Sequence, residues 1–169
     1  QNGIVHIRKP QCHFGWDWGP VLPCSGISDD IYLEFVNEGR IDDFSVSQVC
    51  NITDATVDAK IDYTSYKDCE CRIILTSPSG EVLISDGNSA HFEIENPELW
   101  WTYDLSEKSE QPLYTVTAEL LCDGCVVDEC SKKIGIRKIE LNRELDGYGK
   151  NFQFKINDVP IFAKGANYI

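Results

Sequence analysis

Methionine is missing from this chain, basic residues are scarce and no apolar stretch is long. An open reading frame starts with methionine, so the sequence reads as an excised or processed part of a longer polypeptide. A helix that crosses a bilayer needs about 20 apolar residues in a row, and no such run is present. The opening Gln1-Asn2-Gly3 carries neither the basic nor the apolar segment of a secretory leader, which points to the cytoplasm. Lys and Arg number 15 against 28 Asp and Glu, a formal net charge of −13. That balance repels a phosphate backbone instead of releasing its counterions, so nucleic acid is excluded as a partner and an anionic membrane surface is disfavoured. Histidines are few: His6, His13 and His91. They lack ligand-like spacing, so none is assigned to a metal. Helical periodicity, internal repeats and low-complexity tracts are missing as well.

Cysteine is abundant by contrast, at positions 12, 24, 50, 69, 71, 122, 125 and 130. An even count can mean a disulfide framework, but a domain of this size does not need staples and the spacings are irregular. Cys122 and Cys125 flank Asp123-Gly124, a strong two-residue hairpin signal, and face each other where a disulfide seldom fits. Zinc needs four converging ligands, and Cys69-x-Cys71 with Cys122-x-x-Cys125 offers them only on paper. The expectation is therefore small apolar core filler in a reducing compartment, with no metal and no cofactor.

Alternation with a period of two runs through the chain. Candidate strands are 2–8, 31–36, 43–50, 55–64, 70–76, 81–85, 90–95, 112–121, 125–134 and 152–156. Ile31, Leu33 and Phe35 share one face, as do Ala55, Val57, Ala59, Ile61 and Tyr63, and Val116, Ala118 and Leu120. Turn residues fall between them at Ser77-Pro78-Ser79-Gly80, Asp86-Gly87-Asn88, Asp123-Gly124 and Asn157-Asp158. Seven strands between residues 43 and 136 predict an all-β chain, an immunoglobulin-like antiparallel β-sandwich with flanking strands from neighbouring domains.

The stretch Phe14-Gly15-Trp16-Asp17-Trp18-Gly19-Pro20 is the best candidate for chemistry. It sets a carboxylate between two indoles. If extended, it points Trp16 and Trp18 one way and Asp17 the other. Indole faces beside a carboxylate suit a sugar: the ring's C–H face stacks on the aromatic, and the carboxylate accepts from hydroxyls. The plainer reading puts both tryptophans in a core with Asp17 capping a turn. Trp100 and Trp101 are adjacent, so in an extended segment they face opposite ways and cannot form one stacking surface. One is expected in the sandwich core and the other at a domain junction.

Three blocks carry a family resemblance. Residues 8–27, RKPQCHFGWDWGPVLPCSGI, resemble the N-terminal region of the β-mannosidase branch of glycoside hydrolase family 2. Asn96-Pro97-Glu98-Leu99-Trp100-Trp101, with Gln111-Pro112-Leu113-Tyr114, is similar to a run further along the same family. Phe152 to Asn157 and Val159 to Ile169 resemble the strand pair that leads into its catalytic barrel. The resemblance implies three parts: residues 1–36 as trailing strands of an N-terminal jelly-roll-like domain, 37–137 as the sandwich, and 138–169 as a connector and β-hairpin opening a (β/α)8 barrel. It implies a retaining enzyme that hydrolyses terminal non-reducing β-D-mannose residues from oligosaccharides. In that enzyme Asp17 accepts hydrogen bonds from the sugar, while Trp16 and Trp18 shape the pocket. The implied partners are the β-mannoside oligosaccharide and the protein's own barrel domain.

No catalytic residue is assigned within the chain. Retaining hydrolysis needs two carboxyls about 5 Å apart, and the family's glutamates lie beyond residue 169. Asp29-Asp30 and Asp42-Asp43 are adjacent and point to opposite sides. Glu93 and Glu95 share a face but read as a solvated strand. The chain by itself is thus expected to be inactive. Two alternatives stay open: a stand-alone carbohydrate-binding or structural sandwich module, and a family 2 β-galactosidase or β-glucuronidase.

Overall fold

Alternating burial builds most of this chain. In a computed structural model, residues 8–106 and 111–167 are described, and two compact units are distinguished, Gln1–Phe35 and Val36–Ile169. The candidate strand 2–8 lies almost wholly outside the described residues.

The larger unit begins with β1, Gly39–Cys50, and β2, Asp54–Ser65. It continues with β3, Cys69–Thr76, β4, Val82–Asp86, and β5, Ser89–Glu95. After the Trp100-Trp101 segment come β6, Tyr114–Cys122, and β7, Cys125–Ile134. These are the seven strands the alternation predicts. One sheet has the order β1-β2-β5 and the other β4-β3-β6-β7, with every pairing antiparallel. The fourth strand pairs with the third, whereas in constant-type immunoglobulin domains it lies in the sheet of the first, second and fifth strands.

The two inner faces close on one core. Along β6, Tyr114, Val116, Ala118, Leu120 and Cys122 are buried at every second position. Opposite them lie Phe44, Ala55, Val57, Ala59, Ile61, Ala90 and Phe92, with Cys71, Ile73 and Leu75 from β3 completing the cluster. Tyr63, the last of the five expected on the β2 face, is exposed. Burying one Ile or Leu side chain contributes about 1.5–3 kcal/mol, so this cluster dominates the unit's stability.

β1 starts at Gly39, earlier than residue 43, and shifts register between Ile41 and Asp43. The polar Gly39-Arg40 start hides it from a hydrophobic pattern. Gly39 is demanded by packing, because a Cβ there would lie 2.9 Å from a Leu120 methyl and 3.1 Å from the Thr64 carbonyl.

The two-residue turns form as their residues dictate. Asp123 and Gly124 have φ of 52° and 76°, and Asn157 and Asp158 have 48° and 67°. Positive φ at both corners is the requirement of a tight hairpin turn matched to strand twist.

Residues 138–169 hold more than a connector and a hairpin. β8, Ile139–Asn142, β9, Gln153–Ile156, and β10, Val159–Pro160, form a third sheet in the order β10-β9-β8. β8 escapes notice because four residues give too short a period.

Two expectations need correction. The stretch 31–36 is not a strand: Ile31, Leu33 and Phe35 are all exposed, and no described strand pairs with it. Alternation supplies a face but not the ladder of hydrogen bonds that a strand needs. The cysteines, in turn, are not uniformly core filler. Cys69 and Cys122 form a disulfide. They sit directly opposite one another on β3 and β6, with Cα atoms 4.3 Å apart. This long-range pairing cannot be seen from local spacing. Cys50 and Cys71 are buried as expected, whereas Cys12, Cys24 and Cys125 are exposed.

Candidate functional site

The smaller unit carries the Trp-Asp-Trp motif on a sharp turn. Pro10 starts a single 3-10 turn, Gln11–Phe14, closed by His13 N–H donating to the Pro10 carbonyl at 3.1 Å. Gly15 follows with φ of 146°, a conformation that side chains disfavour. The chain then doubles back: Trp16 bridges Gly19 antiparallel, leaving Asp17 and Trp18 at the corner. Lys9 Nζ donates to the Cys24 carbonyl and ties the far side of the loop.

This differs from the extended arrangement predicted from the sequence. The segment turns because glycines flank it, and a bridge replaces simple alternation. The rings still meet. Trp16 and Trp18 pack edge to face, with centroids 6.0 Å apart and planes at 87°. Trp16 is 53% exposed and Trp18 72% exposed, so neither is core within its unit. Asp17 is exposed and has no hydrogen bond or ion pair among the described residues. The turn thus offers two aromatic surfaces and a carboxylate with its acceptor capacity unspent. Sequence reasoning missed the neighbouring His13, whose Nδ1 is buried without a partner. Only three-dimensional packing exposes that feature.

Among the described residues of the larger unit, the carboxylates singled out from the sequence do not make a catalytic pair. Asp42 is held below the usual carboxylate range by the Thr64 hydroxyl, which donates to it at 2.6 Å, and then by Arg40 at 2.7 Å. Asp158 is held down by Lys138 at 2.7 Å. A general acid needs the opposite shift. Glu93 and Glu95 are exposed on β5.

Trp100 and Trp101 do face different surroundings. Trp100 N–H donates to the Ile136 carbonyl at 2.8 Å, and the Arg137 guanidinium lies 5.1 Å from the Trp100 ring centroid. The ring packs so tightly on Gly135 that a Cβ there would lie 2.5 Å from it. Trp101 lines an open groove with Leu105, Pro112, Leu113 and Val159. Both are half-buried, and neither belongs to the sandwich core. Trp100 instead clamps the segment running from β7 to β8. Its carbonyl accepts from Asn157 Nδ2 at 3.0 Å, while Asn157 Oδ1 accepts from Lys138 N–H at 2.9 Å.

Fold and motif together define the class: an antiparallel immunoglobulin-like sandwich carrying a third small sheet, preceded by a Trp-Asp-Trp turn. Residues 31–137 match the family described as "Glycosyl hydrolases family 2", and residues 1–29 match its "Glycosyl hydrolase 2 galactose-binding domain-like" region. The chain belongs to glycosyl hydrolases family 2. It is 33% identical over 177 residues to a protein named Beta-mannosidase B from Aspergillus terreus, covering 96% of this chain and 20% of that protein. It is 35% identical over 176 residues to a Beta-mannosidase B from Emericella nidulans, covering 98% and 20%. The chain therefore spans about one fifth of the length of these relatives. Among solved structures it resembles a β-glucuronidase from Ruminococcus gnavus, with a TM-score of 0.56 and 25% identity over 76% of this chain and 19% of that one.

Proposed function

We propose that this chain is a non-catalytic middle fragment of a retaining β-mannosidase that hydrolyses terminal non-reducing β-D-mannose residues. The observation that carries the reading is the exposed Trp16-Asp17-Trp18 turn, in a chain similar along nearly its whole length to proteins named Beta-mannosidase B. Asp17 accepts hydrogen bonds from sugar hydroxyls, and Trp16 and Trp18 exclude water around the ring. Such contacts, remote from the reacting bond, orient the sugar and let binding energy serve the transition state. The two glutamates that do the chemistry belong to a barrel domain beyond residue 169, with which this chain associates. On this reading residues 1–36 end a jelly-roll-like domain, 37–137 form the spacer sandwich, and 138–169 open the barrel.

The likeness to a β-glucuronidase supports a second reading, a uronic acid substrate. Electrostatics disfavours it, because a uronate carboxylate would meet Asp17 in a chain of net charge −13. Assay of the full-length enzyme on 4-nitrophenyl β-mannoside and β-glucuronide separates the two. Turnover of the mannoside alone, with the chain of residues 1–169 inert on both, is the expected result. Turnover confined to the glucuronide, or any hydrolysis by residues 1–169 alone, overturns the proposal.

A further inference from the structure

Three cysteines stand in one row across the larger sheet. Cys69 on β3 is in register with Cys122 on β6, and Cys122 is in register with Cys125 on β7. The strand order β3-β6-β7 puts Cys69 and Cys125 on opposite sides of Cys122. Only Cys69 and Cys122 are bonded, and Cys125 is an exposed free thiol.

The hydrogen-bond ladder explains which pair is bonded. A residue in a central antiparallel strand turns its N–H and C=O toward one neighbour only, so it makes a hydrogen-bonded pair on one side and a non-hydrogen-bonded pair on the other. Cys122 and Cys125 flank the two-residue turn Asp123-Gly124, whose closure requires the hydrogen-bonded pair on that side. The β3 side is then the non-hydrogen-bonded one, where the backbones come closer, and the 4.3 Å Cα separation of Cys69 and Cys122 fits it. The sulfurs on that side are the better placed to join, and the Cys122–Cys125 link, across a hairpin end where a disulfide seldom fits, is the less favoured position of the two.

We propose that Cys122 is the shared sulfur of a two-position disulfide, with Cys125 as the attacking thiol. Thiol–disulfide exchange proceeds by attack of a thiolate on one sulfur of the bond, and the other sulfur leaves. The strand order puts the attacking residue and the leaving residue on opposite sides of Cys122, the order that displacement at its sulfur requires. Cys125 gives its proton to water and its sulfur bonds Cys122 Sγ. The Cys69–Cys122 bond breaks, and the electron pair stays on Cys69 sulfur, which takes a proton. There is no net oxidation, so no outside oxidant is consumed. Cys122 is 1% exposed, while Cys69 is partly exposed and Cys125 exposed.

The two positions constrain the fold differently. The Cys69–Cys122 bond joins separate hairpins across a sequence separation of 53, and holds the end of the sandwich where Gly39 packs on Leu120. The Cys122–Cys125 bond lies within one hairpin and removes the covalent tie between β6 and β3, which stay paired by hydrogen bonds. The exchange is thus a switch in the stiffness of that end.

The test uses the full-length protein purified without reductant, alkylated with iodoacetamide under native conditions and mapped by mass spectrometry. The expected major species links Cys69 to Cys122 with label on Cys125. A minor species, growing with time, links Cys122 to Cys125 with label on Cys69. Replacing the exposed Cys125 (Cys125→Ser) should cut labelling of Cys69 at least tenfold while the Cys69–Cys122 link persists. Equal labelling of Cys69 in that variant, failure of the Cys122–Cys125 link to form, or three unlinked thiols would each overturn the proposal.

Discussion

At the scale of single residues, Asn157 does the most for its size. It is 5% exposed and sits at a turn corner with φ of 48°. Its side chain bonds Trp100 and Lys138, and its backbone N–H donates to the Lys138 carbonyl at 2.9 Å. Asn157→Ala leaves a half-buried carbonyl and N–H unpaired and places a Cβ-bearing residue without a polar tip in left-handed backbone. A loss of about 2–4 kcal/mol is expected by urea denaturation, with Asn157→Gly recovering only the backbone part. Gly135→Ala drives a Cβ into Trp100 and should cost about 1–3 kcal/mol. His91 lies 2.6 Å from Asp58 on the solvent face, and its pKa is raised, first by that hydrogen bond and then by the Asp58 charge. With a folded pKa above the ordinary 6.5, the pair's contribution is complete below that value and is lost as pH rises through the folded pKa. NMR titration should place His91 above 6.5 and show it falling back in Asp58→Asn. An unchanged midpoint would show that Asp58 is not the cause.

At the scale of elements, the sandwich was legible because half-buried strands write their burial into every second residue. β6 is the clearest case, from Tyr114 to Cys122. The turns Asp123-Gly124 and Asn157-Asp158 were legible because few residue pairs accept positive φ twice. The segment 31–36 misleads for the complementary reason, since Ile31, Leu33 and Phe35 give a face while pairing depends on a neighbour. The Cys69–Cys122 bond was illegible because register between distant strands sets it. Its loop predicts its weight: with a separation of 53, loop-closure entropy gives about 4 kcal/mol as an upper figure. Cys69→Ala should lower the stability of the oxidised protein by up to that amount and leave the fully reduced protein little changed. Equal losses in both states would assign the effect to packing instead.

At the scale of the whole molecule, the chain divides its work between a stable body and an unspent surface. The body is the two-sheet core, and its apolar face is satisfied internally. The surface is the Trp16-Asp17-Trp18 turn, whose residue types were readable from the sequence but whose shape was not. Glycines on both sides convert an apparent strand into a corner. Membership of glycosyl hydrolases family 2 rests on residues 31–137 and on the matching blocks around them. The chain spans 20% of the length of such a relative.

The most direct measurement is kcat/KM of the full-length enzyme on an aryl β-mannoside before and after Asp17→Ala. A carboxylate that accepts two charge-assisted bonds from the sugar in the transition state should cost about 3 kcal/mol or more when removed, roughly a hundredfold or greater fall. The fall should appear while the denaturation midpoint stays unchanged, because Asp17 is exposed and unbonded within its unit. Kinetics equal to the parent's would show that the turn does not touch the substrate, and the account of this chain as part of a sugar-binding wall would be wrong.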